Sequence, residues 1–543
     1  VLNIAVLAGP WPRLGVLAVA ALAAATMLAR TDTRRALAML GALILAPVLL
    51  LDDVWHSTQL GFVHRHPLEA VVGGVIVLLV LACAAVPMHR SPWLLGPLAV
   101  LTLPFRVPIS AGGTTNYLLV PLYFVIAAAA LGWLVPVLWS VRAGSGPGPG
   151  PGPGSGSGPG SGSGSGSGWG SGGAASTGSS REDEPPPSRL HLFERLLAAA
   201  IVVYALQSLY SHDFQKALEN EVFFYTPFAI LFERLRALTW TRALLRRSLT
   251  IAVGLALVFS LIGYGEEATK HLLLSPKLVS ANQLHEYFTV NSVFFDPNIF
   301  GRYLALVMVL LAAVLLYDLR VRVQLATIAT LAILWGCLVF TLSRSSLVAL
   351  GLGLAILAAF RWRARPVIYA AVAVAVVGAV VIAVHPSTFG LNEGLNGASD
   401  GRANLINGGI DLFGYRPLLG WGSGSFSKEY AHYFPISARA VSDSHNIPVT
   451  IAAEQGIVGL LLYAALIVSA LATLLRRARV DAFRVGVAAA ATALLLHTMF
   501  YADFLEDPTT WALLAIGAGL ASTAQAKAET ERRETRRARR AVA

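Results

Sequence analysis

The sequence predicts an all-α, polytopic transmembrane bundle of about 12 to 15 helices, with a large extracytoplasmic loop before the last three. Three observations predict it. Only 13% of the 543 residues are charged and 55% are hydrophobic, whereas a soluble domain carries about 25% charged residues. Runs of about 18 to 25 residues with little or no charge recur along the chain, the length that crosses a hydrocarbon core about 30 Å thick. The arginines fall in alternate short loops, as a fixed membrane orientation requires. In lipid each span must satisfy its own backbone groups, so helices follow.

In chain order, apolar spans are expected near residues 10–29, 36–51, 69–87, 93–109 and 117–141, forming an N-terminal transmembrane block over residues 1–142. Pro104 and Arg106 interrupt the fourth of these. A linker, residues 143–189, follows. Its first part, 143–173, is nearly all Gly, Ser and Pro, a composition that buries no core and behaves as a flexible tether. A second transmembrane block, residues 190–525, holds spans near 194–210, 222–238, 247–264, 299–317, 322–341, 345–360, 366–384, 450–475, 484–503 and 508–524. Glu221 and Glu233 bracket the second of these, and a long polar loop, 385–449, precedes the last three. A basic tail, residues 526–543, closes the chain.

Charge placement sets orientation and limits partners. The tail holds Lys527, Arg532, Arg533, Arg536, Arg537, Arg539 and Arg540, which places it in the cytoplasm. Counting back, the loops Arg476–Arg484, Arg361–Arg365, Arg320–Arg322 and Arg242–Arg247 fall inside, with the linker. The loops 265–298, 342–344, 385–449 and 504–507 fall outside. The net charge of +11 is thus accounted for by topology and a membrane-lipid surface, and no nucleic-acid partner is expected. Cys83 and Cys337 lie inside apolar runs and read as core residues, not as a disulfide or metal site. No cleavable signal-peptide pattern opens the chain.

On this map the polar outliers collect on the outer face. Asp296, Asn298 and Arg302 (FFDPNIFGRYLAL) start one helix, and Ser343, Arg344 and Ser345 (TLSRSSLVAL) start another. Arg402 opens the polar stretch GRANLINGG, the turn GWGSGS carries Gly420, Gly422 and Gly424, and His445 stands at the mouth of the next helix. Ionisable residues at a membrane edge are costly unless paired or used. A guanidinium offers a planar fork matched to phosphate oxygens. A histidine titrates near neutrality and can take a proton from a hydroxyl. Backbone N–H groups of a glycine turn can face an anion. The set suits transfer from a lipid pyrophosphate, with no metal and no cofactor required. Each residue also has a plainer reading. Arg344 can snorkel to the interface, Arg302 can bridge to Asp296, Arg402 can be solvated, the glycines can be turns, His445 can be a cap, and Glu454 can be a structural contact.

From His445 the spacing becomes specific. His445-Asn446, nine residues, Gly456, two residues and Gly459 resembles the histidine–glycine pattern of the O-antigen ligase family. SRSS, the GR opening the outer loop, GWGSGSF and FDPNIFGRYLAL are similar to other signposts of the O-antigen ligase and polymerase superfamily, over roughly residues 200–525. The resemblance implies a metal-independent, inverting glycosyltransferase. It would take glycan from a polyprenyl-pyrophosphate donor to a lipid, glycan or wall acceptor, at the outer face of the bacterial inner membrane. It further implies that Arg344 and Arg402 contact the donor pyrophosphate and that His445 activates the acceptor hydroxyl. Arg302, Asn298, Gly422, Gly424 and Asn446 are expected to bind substrate beside them. The histidine pattern favours ligase over polymerase.

Three other readings stay open. Asp52, Asp53, His56, His64, His66 and Glu69 crowd one outer loop, where a metal-dependent transferase would hold a divalent cation, though their spacing matches no ligand motif. A lipid-linked glycan flippase would show mid-membrane charges and related halves. A scaffold would use the tether and the tail TERRETRRARRA for docking.

Overall fold

The computed structural model describes residues 10–55, 61–111, 114–142, 189–273, 279, 282, 288–362, 364–384, 401–435, 443–476, 478, 481–501 and 503–542. Most of the linker, His56, and the loop stretches 385–400 and 436–442 lie outside the described residues. The protein is an all-α bundle with one short hairpin. The first 142 residues give α1 (Pro10–Leu28), α2 (Asp32–Val54), α3 (Gly61–Arg65), α4 (Pro67–Arg90), α5 (Leu95–Thr102), β1 (Val107–Ala111), β2 (Thr114–Leu118) and α6 (Val120–Arg142). Next come α7 (Arg189–Ser208), α8 (Phe214–Asn220), a π-helical turn (Glu221–Tyr225), α9 (Thr226–Arg236) and α10 (Arg242–Thr269). Four long helices follow: α11 (Pro297–Tyr317), α12 (Val321–Phe340), α13 (Arg344–Arg361) and α14 (Ala364–Val384). Two shorter ones, α15 (Arg402–Tyr415) and α16 (Phe426–Tyr433), precede α17 (Ile447–Leu475), α18 (Ala482–His497) and α19 (Pro508–Val542).

Among the described residues, ten helices are long and apolar enough to cross a membrane: α1, α2, α4, α6, α10 to α14 and α17. This is fewer than the 12 to 15 expected, and the reasons are local. The span near 93–109 stops at Thr102, because Pro104 lacks an N–H and disfavours helix in the residue before it. The chain then enters an antiparallel hairpin that pairs Val107 with Leu118. Helices α7 and α9 carry Glu194, Glu233, Arg234 and Arg236, which lower their hydropathy. Helix α18 ends at His497, and α19 runs on unbroken from its apolar part into the basic tail.

Helix α11 is the axis of the bundle. Within the apolar window of that helix 72% is buried, against 22% for α12 and none for α14. It packs on α12, α13 and α18, and α18 packs in turn on α13 and α19. Helix α4 turns most of its surface outward, so Cys83 is exposed and not in the core, while Cys337 is buried as expected.

Of the first six helices, α1 packs directly on α7 and α9, and α2, α5 and α6 pack on α9. At one end of the bundle Arg35 Nε reaches Glu233 Oε1 at 3.2 Å, and Arg236 bridges Glu233 at 2.7 Å and Glu194 at 2.8 Å. The Arg234 guanidinium lies 3.8 Å from the Trp133 ring centroid. Tyr123 donates to the Phe223 carbonyl at 2.8 Å. Charges this buried persist because they are paired and hydrogen-bonded.

Candidate functional site

The site lies at the end of the bundle where α11, α13, α17 and α19 begin and α18 finishes. Its scaffold is a break in α17. Gly456 has φ +62° and ψ −160°, outside any helix. A Cβ there would stand 2.4 Å from the Leu418 carbonyl oxygen, so only glycine fits. The break frees backbone groups that must be satisfied elsewhere. The turn Pro417–Gly424 supplies the partners. Ile457 N–H donates to the Pro417 carbonyl at 2.8 Å, Trp421 N–H to the Ala453 carbonyl at 3.1 Å, and Gly422 N–H to the Glu454 carbonyl at 2.8 Å. The Glu454 carboxylate accepts from Gly424 N–H at 2.9 Å and from Phe426 N–H at 3.0 Å. The N–H groups of Gly422 and Gly424 are therefore already engaged by Glu454. Gly422 is also required by space, since a Cβ would lie 2.3 Å from Ser211 Cα. Trp421, Leu412, Phe426, Tyr430 and Ala453 close a small core of their own around this plug.

The second part of the site is the connection from His497 to Asp507. His497 Nε2 lies 3.1 Å from Ser345 Oγ and 3.3 Å from Ser346 Oγ. Ser343 Oγ donates to Asn298 Oδ1 at 2.8 Å. Asn446 caps α17 through Val449 N–H at 3.1 Å, and its Nδ2 donates to the Met499 carbonyl at 2.9 Å. Arg402 Nη1 donates to the Phe500 carbonyl at 3.1 Å. The Tyr501 ring faces His445 at 5.9 Å and His497 at 5.8 Å between centroids, and the Arg302 guanidinium lies 5.9 Å from its centroid. Arg302 Nη2 pairs with Asp507 Oδ2 at 3.1 Å, not with Asp296, which instead caps α11 through Asn298 N–H at 2.7 Å. Arg302 Nη1 is buried and has no hydrogen-bond partner among the described residues.

His445 is half-buried. Its backbone N–H donates to Asp443 Oδ1 at 2.8 Å, and its Nδ1, 3.8 Å from that oxygen, makes no hydrogen bond among the described residues. His445 (φ +55°), Leu342 (φ +51°) and Asp503 (φ +75°) all hold left-handed backbone at this end. Each such residue costs about 1–3 kcal/mol and persists only where surroundings impose it, commonly at functional sites. Burial pushes the Glu506 carboxyl up to about 7; Lys216 opposes this, while Asp503, Asp443 and Glu454 add to it.

Arg302, Arg402, His445, Asn446 and, through Ser343, Asn298 are thus joined to one connection. Arg344 stands exposed at the first turn of α13, beside the serines that reach His497. His497, Tyr501, Asp503, Glu506 and Asp507 were not singled out by the sequence. The signal was the histidine inside an apolar run and the acidic triplet in HTMFYADFLEDP. In the N-terminal acidic cluster, His66 Nδ1 lies 3.2 Å from Glu69 Oε1. Among the described residues no group of three or more His, Cys, Asp or Glu side chains is placed to hold a metal ion.

The O-antigen ligase family model matches residues 329–464, about a quarter of the chain. The match holds Arg344, Arg402, the glycine turn, His445 and Gly456, and leaves out Asn298, Arg302 and the 497–507 connection. A stretch that matches the O-antigen ligase family model thus lies within a polytopic all-α membrane bundle. No curated protein matches the chain.

Two substitutions probe this scaffold. Gly456→Ala forces a side chain into left-handed backbone against the Leu418 carbonyl, and should cost on the order of 3 kcal/mol. The measurement is the unfolding midpoint in detergent, and an unchanged midpoint contradicts the plug. Glu506 keeps its proton to about pH 7 in the folded state, whereas the unfolded carboxyl loses it near 4.5. Its burial therefore destabilises progressively as pH rises from 4.5 to 7. Glu506→Gln should raise stability at pH 8 by on the order of 2 kcal/mol and leave it nearly unchanged at pH 4.5, read as the unfolding midpoint in detergent at the two pH values; equal midpoint shifts at both would contradict the buried, protonated carboxyl.

Proposed function

We propose that the protein is a membrane glycosyltransferase that moves a glycan from a polyprenyl-pyrophosphate donor to an acceptor hydroxyl at the outer face of the bacterial cytoplasmic membrane. The observation that carries this reading is the convergence of Arg302, Arg402 and His445, from three separate parts of the chain, on residues 500–507. Arg302 offers a buried Nη1 donor that no group among the described residues takes, and a buried donor left unpaired costs about 1–3 kcal/mol. A phosphate oxygen would satisfy it. Arg402 and Arg344 flank the same end and complete a cationic face for the two phosphates.

A polyprenyl tail needs an apolar lane to that face. A groove of about 830 Å³ runs between α10, α11, α18 and α19, from Tyr303 and Thr509 to Asp318, Arg320 and Asp481. A small cavity of about 50 Å³, walled by Arg302, Asp507 and Tyr303 among others, adjoins its upper end through Leu103, Leu306 and Thr509. The basic loops Arg242–Arg247, Arg320–Arg322 and Arg476–Arg484 lie at the other end of these helices, which supports placing the reactive end outside.

In the transfer itself, the acceptor oxygen bonds to the anomeric carbon of the donor sugar. The bond from that carbon to the pyrophosphate oxygen breaks, and its electron pair leaves with the pyrophosphate. The hydroxyl proton passes to the His445 imidazole, and the nearby Asp443 carboxylate stabilises the cation that forms. Attack opposite the leaving group inverts the centre. The guanidinium groups supply the charge neutralisation. A repeat-unit polymerase would use the same step with a second lipid-linked glycan as acceptor. The flippase reading draws on the broken helix α17, a feature of transporters, but here the turn 417–424 fills the break.

The test is transfer in proteoliposomes with undecaprenyl-pyrophosphate-linked glycan, with chelator present. His445→Ala should lower turnover at least about 100-fold, with donor affinity within twofold. Arg402→Ala should weaken donor binding about tenfold, and Arg402→Lys should recover only part, having charge without the fork. Full turnover by His445→Ala would overturn the assignment.

A further inference from the structure

Beside His445 lies a second cavity of a different character. It holds about 530 Å³, within the size range of small-molecule sites. Its walls are α7, α8, the first turns of α17 and residues 503–506, and none of the described residues lining it is an arginine. Among the described residues, Asp213, Asp443, Glu454, Asp503 and Glu506 line it against a single cation, Lys216. Asn220, only 3% exposed, donates from Nδ2 to Glu506 Oε1 at 2.8 Å and to the Tyr204 hydroxyl at 2.9 Å. Its Oδ1 is buried and accepts from nothing among the described residues. A buried acceptor without a donor is costly, so this wall calls for a ligand that donates hydrogen bonds. Tyr204, Tyr225 and Tyr463 add aromatic surface with polar tips.

We infer that this cavity binds the accepting end of the acceptor, and that it selects a hydroxyl-rich glycan that is uncharged or bears an amine over one bearing phosphate or uronate. Sugar hydroxyls and ammonium groups donate to carboxylates and to Asn220 Oδ1. An anionic group would meet acidic side chains from several sides, and above the pH at which the buried Glu506 gives up its proton their like charge repels it and discriminates. The same sign of charge keeps the donor pyrophosphate out of this cavity and on the arginine face. Asp443 belongs to the cavity wall and also accepts from the His445 backbone N–H, so His445 stands at the edge of this cavity. The acceptor role rests on the transfer reading above; the preference for hydrogen-bond-donating sugars does not.

The test uses the full-length protein in nanodiscs without donor, at pH 8, where Glu506 has lost its proton. Three probes of equal length are compared by calorimetry and saturation-transfer NMR: a neutral gluco-oligosaccharide, its amino-sugar counterpart and its uronate counterpart. The neutral and amine-bearing probes should bind, with the uronate at least tenfold weaker. Asp503→Asn combined with Glu506→Gln should erase the difference between amine and uronate. Lys216→Met, which alters no carboxylate, should widen it and serves if the double variant does not fold. Equal binding of the uronate, or no binding of any probe, overturns the site. Binding of neutral probes that are never glycosylated with donor present keeps the site and overturns its acceptor role. Transfer to uronate acceptors in preference to neutral ones overturns the selectivity while leaving the transferase standing.

Discussion

The site depends on a buried ion pair. Arg302 and Asp507 lie 3.1 Å apart with side chains 5% and 4% exposed. Taking two charges out of water is repaid only by close pairing, and loss of one partner leaves an uncompensated buried charge that costs about 3–5 kcal/mol. The pair fastens the first turns of α11 to the residue that caps α19, where Asp507 Oδ1 accepts from Thr509 N–H at 2.9 Å. The connection between α18 and α19 is thereby pinned at one end, while His497 pins the other on the serines of α13. Everything carried by that connection follows: the carbonyls that hold Arg402 and Asn446, and the Tyr501 ring against His445.

The broken helix α17 solves a complementary problem. Exposed backbone is not tolerated at membrane depth unless other protein groups take it up. The turn 417–424 takes up the freed groups, and the Glu454 side chain fastens the turn from the other direction. The glycines and Glu454 therefore form one structural unit. Its consequence is positional, because α17 reaches the site with His445 and Asn446 at its mouth.

Much of this was legible in the sequence, for physical reasons. Length and hydropathy are enough to find α1, α10, α11 or α17, since a lipid-spanning helix must be apolar along its own length. The same measure overcounts where charge is paired in the folded state, as in α7 and α9, or where Pro104 stops a helix. Arg302, Arg402, Asn446 and His445 stood out because each is polar at the edge of an apolar run. Asn446 proves to be a helix cap as well as a site neighbour, and Arg302 takes Asp507 as partner where Asp296 lay nearer in sequence. The role of 497–507 was not legible. Spacing along a chain does not report which distant helices a short connection will touch, and His497, Glu506 and Asp507 acquire their roles only from α13, α8 and α11.

The central claim is that the donor's phosphates sit at this end of the bundle. The direct measurement is photo-crosslinking of a polyprenyl-pyrophosphate analogue carrying its reactive group beside the phosphates, with labelled residues mapped by mass spectrometry. The account predicts labels around Asn298–Arg302, Ser343–Ser346, Arg402, Asp443–Asn446 and His497–Tyr501. Labels at the opposite end, around Arg242–Arg247, Arg320 and Arg484, would contradict it.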